Sequence, residues 1–176
     1  TKSAYLTVRN GEAKLALRNL DKVRVKVTRN DEQVYETLVE NPAGSFYALD
    51  TLALDLPSLD DGEYSIICYD GKEQIGRCHY PKYTLSVASR VNDEGTGVYV
   101  ADYLSGKPLE KVDMALYKGD RKVVEVSGVV LDGFTPLPQE MASRLTKNAS
   151  GHYLVCSAVG EDGAARRSQA MYLSSE

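Results

Sequence analysis

The sequence predicts an all-β protein made of two tandem antiparallel β-sandwiches, with domains at 1–82 and 83–176. Three observations lead there. Short segments alternating apolar and polar residues with a period of two recur along the 176 residues, which is the pattern of half-buried strands. Clusters of Gly, Pro, Asn and Asp separate them, as turns require. A late apolar strand opened by Gly-x-Tyr occurs once in each half: Gly62-Glu63-Tyr64-Ser65-Ile66-Ile67-Cys68 and Gly151-His152-Tyr153-Leu154-Val155-Cys156. This weak self-similarity, at a spacing of 89 residues, argues for two copies of one sandwich type.

Taken in order, Tyr5–Arg9 and Ala13–Leu17 alternate around Asn10-Gly11, a strong hairpin turn. Lys22–Arg29 sets Val23, Val25 and Val27 on one face and Arg24, Lys26 and Thr28 on the other, so it belongs to a sheet that is wet on one side. The turn Asn30-Asp31-Glu32 leads into Gln33–Leu38, and Asn41-Pro42-Ala43-Gly44 breaks the chain again. Tyr47 and Leu49, then Leu52, Leu54 and Leu56, continue the alternation. A strand at Ser65–Tyr69 reverses at Asp70-Gly71 and returns as Gln74–Tyr80. Pro81 is expected to end that strand and Tyr83–Ser89 to begin the next. No flexible linker intervenes, so closely abutting domains are expected.

In the second half, Val98-Tyr99-Val100 and Val112-x-Met114-x-Leu116 flank Ser105-Gly106-Lys107-Pro108, a strand–loop–strand signal. Gly106 tolerates positive φ, and Pro108 cannot donate to a ladder. Asp102, just before the break, is read as a carboxylate that bonds loop amides rather than as a catalytic group, since no acid, base or nucleophile stands near it in sequence. Val123–Leu131 is strand-like, Asp132–Pro138 is an irregular loop, and Met141 with Leu145 predicts a single helical turn within Gln139–Leu145. Asp162-Gly163 precedes a last strand. Tyr64 and Tyr153 are expected to plug the sandwich ends and bond backbone through their hydroxyls, as in the tyrosine corners of immunoglobulin/fibronectin-like sandwiches.

Composition narrows the function. An apolar content of 43% and a charged content of 26% are ordinary for a globular chain. Each half has roughly 80–95 residues, which suffices to bury ~60% of its unfolded surface. The net charge of −4 and scattered Lys and Arg argue against nucleic-acid binding. The apolar runs span only a few residues, so no segment here is expected to insert into a membrane. A start at Thr1, without Met or a signal-peptide pattern, reads as an excised piece of a longer, processed protein.

No catalytic, cofactor-binding or metal-binding residues are assigned, and no enzyme activity is expected. Sequences typical of nucleophile elbows, zinc helices, phosphate loops or dinucleotide sites do not occur. Cys68, Cys78 and Cys156, with only His79 and His152, make a zinc site untenable. Cys68 and Cys78 either bridge a hairpin, which needs Cα atoms roughly 4.4–6.8 Å apart, or remain free buried thiols. Cys78-His79 are strand neighbours on opposite faces, unsuited to a nucleophile–base pair. Asp60-Asp61 with Glu63 lacks a calcium-loop spacing and reads as a solvated turn. Asn148-Ala149-Ser150 fits a glycosylation sequon, informative only in a eukaryotic secretory setting. Twelve tyrosines without Trp are read as half-buried rim residues, with a sugar-stacking surface as the sharper alternative.

Leu15–Arg29 (LALRNLDKVRVKVTR), Leu56–Ile67 (LPSLDDGEYSII), Tyr83–Val87 (YTLSV), Val98–Lys118 (VYVADYLSGKPLEKVDMALYK), Asp132–Pro138 (DGFTPLP) and the ending at Arg167-Ser168 spread over nearly the whole chain. In this order they resemble bacterial alpha-2-macroglobulin family proteins, more narrowly large forms found in Bacteroides-like bacteria. The resemblance implies two consecutive macroglobulin-like domains, which in the family stack into a ring that scaffolds a bait region and a thioester domain. It further implies an extracytoplasmic location, periplasm or cell envelope, with neighbouring macroglobulin-like domains of the same parent chain as partners and proteases met through the full-length protein. The family's thioester motif reads CGEQ; Gly71-Lys72-Glu73-Gln74 lacks the cysteine, and without a thiol there is no acyl donor. The expected role is therefore a scaffold of a broad-spectrum protease trap. A tandem immunoglobulin-like surface adhesin or glycan-binding module, marked by clustered exposed tyrosines, is the alternative. A hydrolase is disfavoured by the lack of a nucleophile–base pair.

Overall fold

Three valines at alternate positions fix the first sheet. Val23, Val25 and Val27 are fully buried on strand β3 (Lys22–Arg29), while Arg24 and Lys26 on the other face cover the ring of Tyr69 at 4.7 and 5.6 Å. The computed structural model describes residues 1–9, 11–41 and 50–173, and the chain divides into two units, Thr1–Lys82 and Tyr83–Glu176.

In the first unit β1 (Ser3–Arg9), β2 (Glu12–Arg18) and β5 (Asp50–Ala53) form one antiparallel sheet in the order β1-β2-β5. The second sheet runs β4-β3-β6-β7, with β4 (Glu32–Glu40), β6 (Gly62–Asp70) and β7 (Glu73–Lys82), again antiparallel throughout. Leu15 and Leu17 of β2 meet Val25, Val27 and Ile66 in one core, closed at its border by Leu52, Leu54 and Leu56. The β3–β4 hairpin turns on Asn30 and Asp31, both at positive φ (52° and 63°). This is the paired left-handed geometry that short hairpins need, and Asn and Asp tolerate it best after Gly. Asn10 of the first hairpin lies outside the described residues, as do Pro42, Ala43, Gly44, Tyr47 and Leu49 of the break and alternation read above.

In the second unit β8 (Leu85–Asn92), β9 (Gly95–Asp102) and β12 (Thr135–Pro136) make a sheet in the order β12-β9-β8. The other sheet runs β11-β10-β13-β14, from β10 (Lys111–Lys118), β11 (Arg121–Val130), β13 (His152–Val159) and β14 (Ala165–Arg167), with β15 (Met171–Tyr172) also on β13. Val98, Val100, Met114, Leu116, Leu154 and Cys156 form its core. Two sandwiches of antiparallel sheets bear out the all-β, immunoglobulin-like fold class.

Four local expectations are corrected. Pro81 does not end its strand: β7 continues to Lys82 on the edge of its sheet, where a missing N–H removes no ladder bond. The predicted helical turn is a helix, α1 (Gln139–Lys147), held longer than one turn because Met141 and Leu145 are both buried. Asp61 is not in a solvated turn. It is 1% exposed and ion-paired with Lys82 Nζ at 3.0 Å, a partner too far along the chain to be read locally.

Tyr153 is the fourth. Tyr64 is buried and its hydroxyl donates to the Asp60 carbonyl, as a tyrosine corner requires. Tyr153 instead faces outward, stacked on Tyr117 at 5.2 Å and tilted against Tyr172 at 5.2 Å. Matching the inward rows places Cys156, Leu154 and His152 where Cys68, Ile66 and Tyr64 stand, so the repeat is one residue out of phase with its glycines. The two tyrosines should therefore separate sharply in denaturant melts. Tyr64→Ala is expected to lose about 3–5 kcal/mol, the range for emptying a buried aromatic site, and Tyr153→Ala only about 1 kcal/mol, the scale of a cross-strand pair. Equal losses would contradict the assignment of faces.

Candidate functional site

The loop between β9 and β10 is organised by Asp102. Its Oδ1 accepts the Leu104 and Ser105 amides at 3.0 and 2.8 Å, and Oδ2 accepts Arg166 Nη2 at 2.6 Å. Gly106 sits at φ 72° with its amide on the Asp102 carbonyl. Arg166 also donates to the hydroxyl and the carbonyl of Thr84, both at 3.0 Å. The Ser105 amide, and after it the Arg166 guanidinium, holds the Asp102 carboxyl below its ordinary range. A carboxylate that accepts from three fixed donors is a poor base; Asp102 is a staple between a loop, the start of β8 and β14.

The other chemistry-bearing residues are dispersed. Cys68, Cys78 and Cys156 are free thiols, and burial pushes Cys68 and Cys156 up to about 12. Thiols so placed are neutral and unreactive at neutral pH. Cys78 packs against the core while His79 is exposed and bonds Glu63 at 2.9 Å, so the neighbours do face opposite ways. Gly71-Lys72 forms the β6–β7 turn, with Gly71 at φ 61°, and Glu73-Gln74 opens β7. Among the described residues no cluster of three or more His, Cys, Asp or Glu has metal-binding geometry.

The structure brings together one site that the sequence reading missed. Arg121, Lys118 and His152 are register partners across β11, β10 and β13. With α1 they line an open pocket of about 230 Å³, to which the helix adds Arg144 and Lys147, and its C-cap adds Asn148. His152 is 5% exposed, and its Nδ1 is buried with no hydrogen-bond partner. The signal was present only as pairs: Lys118 and Arg121 bracketing a hairpin turn, Arg144 and Lys147 at i,i+3. Strand register and the helix position unite them.

No protein-family model matches the sequence, and no curated protein matches it. Among solved structures the chain is similar to a crystal structure of native alpha-2-macroglobulin from Escherichia coli spanning domains NIE-MG1. The identity is 11% and the TM-score 0.58, over 95% of this chain and 96% of that one. It is also similar to a longer crystal structure of the same protein spanning MG0-NIE-MG1, at 13% identity and a TM-score of 0.49. That match covers 94% of this chain and 63% of the other, so the chain spans less than two thirds of the longer structure. At such identities the likeness is one of fold.

The Asp102 staple gives a pH-dependent expectation. Its folded-state acidity lies below the unfolded value of about 3.9, so its stabilisation is present above that value and lost as pH falls through the folded one. With the side chain 31% exposed, solvent screens the pair. Asp102→Asn is expected to lose about 1–2 kcal/mol at neutral pH, the scale of a charge-assisted bond, and to converge with the wild type in acid. A constant difference across pH, in urea melts, would contradict the electrostatic assignment.

Proposed function

We propose that the chain is a non-catalytic structural and interaction module of an alpha-2-macroglobulin-like envelope protein, part of the scaffold of a protease trap. The observation that carries this reading is the fold likeness to the NIE-MG1 pair, which extends over nearly the full length of both chains. The sequence blocks point the same way, and the narrower resemblance to Bacteroides-like forms rests on them alone. In this reading 1–82 and 83–176 are separate macroglobulin-like domains, their partners are adjacent domains of one parent chain, and their location is the periplasm or cell envelope. No helix among the described residues is long and apolar enough to cross a membrane.

The adhesin or glycan-binding alternative draws on the row Tyr117–Tyr153–Tyr172 across β10, β13 and β15. Two of these rings lie flat on one another with planes 4° apart, which uses the faces a sugar would need, and Tyr172, at 71% exposure, is the open one. Mutual stacking favours the scaffold reading.

Two outcomes are expected. Residues 1–82 and 83–176, expressed separately, should each unfold cooperatively; a half that is unfolded alone would count against two domains. The whole chain should gain no mass with methylamine and leave protease digestion of casein unchanged at molar excess. A covalent adduct or stoichiometric protection of casein would place trapping chemistry in these domains and overturn the scaffold assignment.

A further inference from the structure

We infer that the basic pocket of the second unit is a binding site for a phosphate group, free or borne on a lipid headgroup. The argument begins with charge. Lys118, Arg121, Arg144 and Lys147 converge on one pocket whose lining contains no carboxylate, in a chain of net charge −4. Among the described residues none of the four has an ion-pair partner. The contrast lies next door. Lys122, paired across the sheet with Tyr117 on the outer face, is neutralised by Glu125 at 2.7 Å. Counter-charge is thus supplied on the outer face and missing from the lining of the pocket. A pocket lined by cations and by no carboxylate has a positive potential that favours an anion.

A plainer reading covers half of this. Arg144 and Lys147 occupy the last turn of α1, where cations complement the helix dipole. It leaves Lys118 and Arg121 unexplained, because they belong to strands, and it leaves His152. In the first unit the corresponding inward position is Tyr64, which satisfies its hydroxyl on Asp60. In the second unit that position holds a buried imidazole, His152, which is among the residues that line the cationic pocket. Asn148 adds a donor: its Oδ1 accepts the Ser150 amide at 3.0 Å, leaving the side-chain NH2 free to face a ligand.

Size and valence select the ligand. About 230 Å³ falls below the ~300–1,000 Å³ of pockets for drug-sized ligands. It holds a phosphate or pyrophosphate with a few waters, at roughly 30 Å³ per water. Four cations exceed what one carboxylate needs, whereas a phosphate carries up to about two charges near neutrality and several acceptor oxygens. The site is a compact cluster, unlike the extended stripe required by nucleic acid.

The test is calorimetric titration of inorganic phosphate and pyrophosphate into the whole chain at low ionic strength. One saturable site is expected, weakened by salt and weakened about tenfold or more in Arg121→Gln/Arg144→Gln, the change expected from losing a charge-assisted bond. Both side chains are exposed, so the variant should fold, which a melt verifies. Lys122→Gln, which alters the outer face, should bind like the wild type. Flotation with vesicles of phosphatidic acid in phosphatidylcholine, against phosphatidylcholine alone, separates the sources. Co-flotation that the double variant loses and pyrophosphate displaces assigns a headgroup; saturable pyrophosphate binding without co-flotation assigns the free ion. Absence of saturable binding by either probe, or equal weakening by Lys122→Gln, would overturn the proposal.

Discussion

Both units depend on a central antiparallel pair with one dry face, β3 with β6 and β10 with β13. Side chains alternate with a period of two, so a slip of one residue would carry Val23, Val25 and Val27 into water and Arg24 and Lys26 into the core. That penalty fixes the register, and the register fixes everything laid on it. Tyr69 falls opposite Arg24, where the guanidinium covers its ring, and Cys68 falls opposite Val25 inside. In the second unit the same rule sets Leu116 against Leu154 and, at the end of the inward row, Lys118 against His152. The helix then has one apolar surface to cover, and buries Met141 and Leu145 on it.

Much of this was legible from local chemistry. β3 was read to its ends because valine and charge alternate without interruption, and the Asn30-Asp31 turn because few residues accept positive φ. Asp102 was placed correctly on its loop amides, since a short carboxylate before a Gly/Pro break has few other uses. What failed was long-range or a matter of phase. Asp61 is buried because Lys82 reaches it from the end of β7. Tyr153 was placed inside by alignment on Gly151, whereas the fold is in phase with Cys156. The cationic pocket was invisible because its residues come from a hairpin, a helix and a third strand.

The Asp102–Arg166 pair shows how such a unit holds a loop without a large core beneath it. One carboxylate binds the turn's own amides and, through the guanidinium, Thr84 at the threshold of β8. Three distant points of the chain are thereby joined by hydrogen bonds that are individually modest and meet at one shared contact, Arg166 with Asp102, so loss of either partner uncouples the loop from Thr84.

The buried cysteines turn this chain into its own reporter of opening. Cys156 belongs to the second unit, and Cys68 to the first. In the closed state each is inaccessible, and its acidity is suppressed to about 12. Once a unit opens, its thiol regains an ordinary acidity near 8.5 and meets any alkylating reagent at full speed. The rate of modification at each position, read peptide by peptide, therefore reports opening around Cys68 separately from opening around Cys156. Equal rates at the two positions would mark one cooperative opening, and unequal rates two, a distinction that a single melting curve does not draw.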